Sequence, residues 1–83
     1  MSATFLSNPG SGDGTTIFTH TNPNCKRLQI FCVAGTIDVE LFSVVIASFA
    51  SGNILTLYNI VGDSLVIKQN GATASRALIT LGD

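Results

Sequence analysis

The sequence predicts an all-β fold, a small antiparallel sandwich or jelly-roll-like barrel of about seven strands. β-branched and aromatic residues recur in short runs, and several of those runs alternate apolar with polar side chains. Breaks rich in Gly, Asn or Pro separate the runs at a spacing of about 8–12 residues, the rhythm of a sandwich or barrel. With 83 residues the chain is one domain. A domain of that size buries only about 60–65% of the surface its unfolded chain exposes, so its core is thin.

The N-terminal part divides from the rest at Ser7-Asn8-Pro9-Gly10-Ser11-Gly12-Asp13-Gly14. Gly maximises backbone freedom and Pro removes a donor, so this run holds no regular structure. Residues 1–14 are expected as a flexible arm and loop, and residues 15–83 as the β domain. The arm carries Phe5 and Leu6, two apolar side chains suited to grasping a neighbour; a first strand followed by a surface loop is the alternative.

Thr15 to Thr21 reads as a strand ended by Asn22-Pro23-Asn24. Lys26 to Val33 alternates Leu28, Ile30 and Cys32 against Gln29, Phe31 and Val33. Ala34-Gly35 is expected to close a hairpin onto Thr36 to Leu41, where Ile37, Val39 and Leu41 face inward and Asp38 and Glu40 outward. Ile54 to Ile60 and Ser64 to Gln69 are expected as a pair about Gly62-Asp63. Asn70-Gly71 is expected as a type I′ turn into Ser75 to Leu81, with Ala77, Ile79 and Leu81 on one face. Leu28 to Gly35 is echoed by Leu55 to Gly62, which two similar hairpins would explain.

Leu41 to Ala50 is ambiguous. Phe42, Val45, Ile46 and Phe49 fit helical spacing, but Val44, Val45 and Ile46 are β-branched and no N-cap precedes them. A strand buried on both faces is preferred, its second face covered by another subunit. Phe42, Val45, Ile46 and Phe49 are the expected subunit contacts, and Phe5 and Leu6 the expected particle-binding contacts of the arm.

The composition points to partner chains. Hydrophobic residues make up 46% and charged residues 11%, where soluble domains average roughly 25% charged. The coat that keeps monomers apart is missing. Net charge is −1, and the four cations Lys26, Arg27, Lys68 and Arg76 are scattered. Nucleic acid and anionic membrane both demand dense basic surface, so neither is an expected partner. Leu41 to Gly62 carries no charge, but only Leu41 to Ala50 is strongly apolar. That is too short for a bilayer core, which needs about 20 apolar residues. No basic and apolar leader follows Met1, so a soluble protein made without export is expected.

Little catalytic chemistry is legible. His20 is the one histidine, and Cys25 at five residues' remove is a poor second metal ligand. Its place on a Thr-rich run reads as surface. Asp38 and Glu40 share one strand face and read as its solvated side. Gly10 to Gly14 lacks the Lys-Ser/Thr of a P-loop. The expectation is therefore no enzyme, no catalytic residue, no cofactor and no metal. Cys25 and Cys32 would stand roughly 23 Å apart on one extended strand, too far for a disulfide. They read as free thiols, Cys32 in the core and Cys25 in a loop. Tyr58, Phe18 and Phe31 leave open a platform for sugars.

Ile54-Leu-Thr-Leu-Tyr-Asn-Ile-Val-Gly-Asp-Ser-Leu-Val-Ile-Lys68, followed by Asn70-Gly71 and Ala77-Leu-Ile-Thr-Leu81, resembles short β modules of tailed-phage (bacteriophage) virion proteins. These are capsid decoration or cement proteins and parts of head or tail fibres. The resemblance implies a homotrimer with a Ser/Thr/Asn coat, made in the host cytoplasm and attached to the major capsid protein or another virion protein at the virion surface. Decoration is preferred to a fibre module because the chain starts at its own Met and has no shaft repeat or coiled coil. A fibre or adhesin module binding host glycan is the alternative.

Overall fold

The computed structural model describes residues 3–21, 24–61 and 64–82; the turns expected at Asn22-Pro23 and Gly62-Asp63 lie outside them. Among these residues the chain forms eight strands and no helix. They are β1 (Ala3–Leu6), β2 (Thr16–His20), β3 (Cys25–Ala34), β4 (Thr36–Leu41), β5 (Val44–Ala50), β6 (Ile54–Ile60), β7 (Leu65–Gln69) and β8 (Arg76–Gly82). They pair into two four-stranded antiparallel sheets, sheet I in the order β1-β8-β3-β6 and sheet II in the order β2-β7-β4-β5. This is a double-sheet jelly roll. No helix among the described residues is long and apolar enough to cross a membrane.

The sheets face each other across Leu28, Ile30 and Cys32 of β3, Ile37 and Val39 of β4, Leu65 and Ile67 of β7, and Ala77 and Ile79 of β8, all fully buried. The alternation read from the sequence of β3, β4 and β8 places their core residues correctly. Each such Leu or Ile contributes about 1.5–3 kcal/mol by leaving water.

The connections differ from expectation. Ala34-Gly35 closes no hairpin, because β3 lies in sheet I and β4 in sheet II. Gly35 turns the corner between sheets at φ +69°, where a Cβ would stand 2.9 Å from the backbone of Ala74 and Ser75. β6 and β7 also lie in different sheets, so the sequence echo does not mark two hairpins. Asn70-Gly71 likewise joins sheet II to sheet I, and only Gly71 takes positive φ there. A turn signal shows where the chain reverses but not whether the next strand pairs with its predecessor or crosses the core.

The N-terminal arm is also corrected. Ala3–Leu6 is an edge strand in register with β8, from Ala3 opposite Leu81 to Leu6 opposite Leu78. The loop behind it is tied down. Ser7 is buried, its amide donating to the Ala77 carbonyl and its Oγ accepting from the Ala77 amide, each at 2.8 Å. Gly10 and Gly14 donate to the carbonyls of Ser75 and Gln69. The buried Gln69 side chain braces this region, donating to the Gly71 carbonyl at 2.8 Å and accepting from the Ser75 amide at 3.2 Å.

The real hairpin was hidden inside the ambiguous run. β4 pairs with β5, Leu41 opposite Val44, across a turn made by Phe42 and Ser43. Both take the positive φ of a type I′ turn, 54° and 61°. A two-residue turn of Phe and Ser has no recognisable signature, since Asn and Gly usually occupy it.

Candidate interaction surface

The β4–β5 hairpin stands uncovered. Phe42 at its tip is 72% exposed, and Val44, Val45 and Ile46 are exposed behind it. Of the expected contacts, Phe42, Val45 and Ile46 are therefore available to a partner. Phe49 is not, because it lies opposite the buried Ile37 and packs against the core. The expected strand buried on both faces is thus an edge strand with one face inward. The register shift between Val39 and Glu40 leaves Ile46 as an extra residue on β5, bending the strand at this edge.

Phe5 and Leu6 separate in the same way. Phe5 lies opposite buried Ile79 and turns into the seam between the sheets, its ring 5.6 Å from Phe18 and 5.7 Å from His20. Leu6 turns outward. His20, expected as a surface residue, is half-buried in this aromatic cluster.

Outward-turned Leu6 belongs to a feature the sequence reading missed. Leu6, Leu78, Phe31 and Ile54 lie in cross-strand register on β1, β8, β3 and β6, forming one apolar row across the outside of sheet I. Leu6 is 54% and Ile54 57% exposed, and Leu78 is 37% exposed. The signal was present: Phe31 and Leu78 occupy outward positions in strands whose inward residues were assigned correctly. The next row is Thr4, Thr80, Gln29 and Thr56, and beyond it Arg27 lies opposite the exposed Tyr58.

The outside of sheet II is different. Asp38 accepts from the Ser48 hydroxyl and from the Asn70 amide, and Lys68 meets Glu40 at 3.1 Å. The two carboxylates are held in this network as the solvated side of β4.

Both thiols are free and buried. Cys25 opens β3 opposite Ile60 instead of lying in a loop, and Asn24 and Asn59 beside this pair take positive φ. Burial pushes both thiols above their usual pKa, partly offset at Cys32 by a hydrogen bond with the Ala34 backbone. Cys25 also lines an open depression of about 520 Å³ with Asn24, Lys26, Asn59, Ile60 and Val61. Among the described residues no three His, Cys, Asp or Glu side chains converge as metal ligands would.

No protein-family model matches the sequence, and no curated protein does. Solved structures do match. An RmlC-like cupin family protein from Methanocaldococcus jannaschii, described as having a double-stranded β-helix fold, aligns with a TM-score of 0.63 at 10% identity. The alignment covers 98% of this chain and 67% of that one. The fold is a cupin-like double-stranded β-helix. The cupin domain of Schizosaccharomyces pombe Cnp3 aligns with a TM-score of 0.65 at 17% identity, over 99% of this chain and 53% of that one. A predicted oxalate decarboxylase from Thermotoga maritima aligns with a TM-score of 0.59 at 15% identity, over 98% of this chain and 64% of that one. The chain thus spans about half to two thirds of the length of these cupin-fold structures.

These likenesses correct one expectation. The exclusion of an enzyme rested on the scarcity of catalytic residues. It does not stand, because the same architecture carries the predicted oxalate decarboxylase. At such identities the likeness extends to the fold and not to an activity.

Proposed function

We propose that this chain is a structural subunit whose β4–β5 hairpin packs against other protein, in the manner of a capsid-decorating virion protein. The observation that carries the reading is the uncovered tip at Phe42. An exposed Phe in left-handed conformation costs roughly 1–2 kcal/mol relative to a residue suited to that turn. Strained, exposed apolar residues are retained where they serve a contact. The uncharged run from Leu41 to Val61 and the low overall charge support the same reading. So does the architecture, since double-sheet jelly rolls also build viral capsid domains. On this reading the chain forms a homo-oligomer, a trimer by the resemblance to phage modules, and sits on the major capsid protein at the virion surface.

The test is co-sedimentation of the purified chain with capsids assembled from the same genome. The wild-type chain should travel with the particle and Phe42→Asp should stay in the supernatant. Equal recovery of both with the particle, or neither, contradicts the reading.

A glycan-binding module is the second reading, favoured by Tyr58 exposed opposite Arg27 on sheet I. Tyr58 is the one tyrosine and the chain has no Trp, so its fluorescence reports directly on sugar binding. Unchanged emission across an oligosaccharide titration would remove that alternative.

A further inference from the structure

Two uncovered apolar surfaces lie at opposite ends of the molecule. β4 leaves the Gly35 corner and runs the length of sheet II, so the Phe42 tip stands at the end away from that corner. The apolar row of sheet I lies near the corner itself. There the Cys32 amide donates to the Asn53 carbonyl at 3.0 Å, and Ile54 follows directly. One surface is a protruding tip and the other is a row four strands wide. No single small partner spans both.

Their surroundings are opposite in sign. Among the described residues, sheet I carries the exposed cations Lys26, Arg27 and Arg76 and no acid. Arg76 is about 7 Å along β8 from Leu78, and Arg27 about 13 Å along β3 from Phe31. Sheet II carries Asp38 and Glu40 behind the hairpin, Glu40 directly opposite Val45, with Lys68 the one described cation there. Pairing row with row brings Arg against Arg, and pairing tip with tip brings carboxylate against carboxylate. Seating a tip on a row brings the net-negative flank of the hairpin, Asp38 and Glu40 with Lys68 paired to Glu40, to the cationic face of sheet I. Like-charge juxtaposition across an interface is unfavourable, and complementary charge fixes the register.

From this we infer that the partner of each hairpin is a second copy of the chain, held head to tail: the Phe42–Ile46 hairpin of one copy seats on the Leu6–Leu78–Phe31–Ile54 row of the next. The inference rests on the assembly reading above and deepens it. A head-to-tail contact leaves one tip and one row free at the ends of any open assembly, and it closes only as a ring. A trimeric ring has that form.

A mixing experiment tests it. Phe42→Asp breaks the tip and Leu78→Asp breaks the row, both at exposed positions; Phe42→Ser and Leu78→Thr are the milder forms should either fail to fold. Each variant alone should lose self-association by at least ~30-fold, as for a central contact residue. An equimolar mixture should recover a dimer and nothing larger, because the intact tip of the Leu78→Asp copy fits the intact row of the Phe42→Asp copy. If one variant keeps its self-association while the other loses it, the contact is like with like; if both are monomeric and the mixture stays monomeric, tip and row do not meet. In either case the inference fails while the assembly reading survives. If neither variant weakens self-association, the contact lies elsewhere and the inference fails. A wild-type chain monomeric at all concentrations also overturns it and assigns the row to a different protein. Capsid co-sedimentation then decides the assembly reading separately.

Discussion

Sheet II turns outward a polar surface that closes on itself: Asp38 is held by Ser48 and Asn70, and Glu40 by Lys68. Sheet I buries the same kind of aliphatic residues on its inner side. Outward, however, it presents Leu6, Leu78, Phe31 and Ile54 in one row with threonines beside them. The two sheets cost the chain similar entropy to order, and both meet across one core. Sheet I leaves its large apolar side chains on its outer face, and sheet II at its β4–β5 hairpin, where Phe42, Val44, Val45 and Ile46 are exposed. Leu78 and Ile79, neighbours on β8, show the two faces of sheet I: Ile79 is fully buried in the core and Leu78 is partly exposed.

That contrast can be broken by substitution. Ile79→Ala should cost about 2–5 kcal/mol of stability in chemical unfolding, as deletions in filled cores do. Leu78→Ala should cost under about 1 kcal/mol by the same measurement, since the site is outward and partly exposed. Equal losses at the two positions would mean that the row is part of the core.

The corner and the turn tip give the next effects. Gly35→Ala combines a left-handed φ with a Cβ 2.9 Å from backbone, whereas Gly52 has φ +90° and nothing within 4 Å. The first substitution should cost about 2–4 kcal/mol and the second about 1 kcal/mol in thermal or chemical unfolding. Replacing Phe42-Ser43 by Asn-Gly should instead raise stability, by about 1–2 kcal/mol, because those residues suit a type I′ turn. The same change should weaken assembly. A variant that gains stability and assembles normally would show that Phe42 does not serve the contact.

A smaller effect separates the polar sheet. Lys68→Ala should cost less than about 1 kcal/mol, and the loss should shrink as salt is raised, as expected for a partly exposed ion pair. The thiols give a pH effect of known sign. Both hold their protons more tightly in the folded chain than a solvent-exposed thiol, whose pKa is about 9.0. The folded state therefore binds more protons than the unfolded state once pH passes that value, and stability falls as pH rises through it. The melting temperature should be unaffected by the thiols near neutral pH and decline above about 9, less steeply when Cys25 and Cys32 are replaced by Ala and Val.

Much of the core was legible because alternation is a property of single strands. Leu28, Ile30, Ile37, Val39 and Ile79 needed no partner strand to be assigned inward. Pairing was not legible, because Gly35 and Asn70-Gly71 look the same whether the chain folds back or crosses to the facing sheet. Of the expected contacts, Phe42, Val45, Ile46 and Leu6 stand exposed, Phe49 turns inward, and Phe5 is partly exposed with its ring against Phe18 and His20. Their facing depended on where one strand ended and the next began, and Phe42-Ser43 gave no sign of a turn. The row on sheet I is assembled from four separated segments. Only register brings those segments together, so no local pattern could display it.

The most direct test of the account is the mass of the purified chain in solution, by sedimentation across a range of concentrations. A chain whose tip and row are interfaces should sediment as a multiple of 8.7 kDa, and Phe42→Asp should return it to that value without unfolding it. A wild-type chain that remains a single 8.7 kDa species up to ~1 mM, where even contacts of about 4 kcal/mol register, would contradict it.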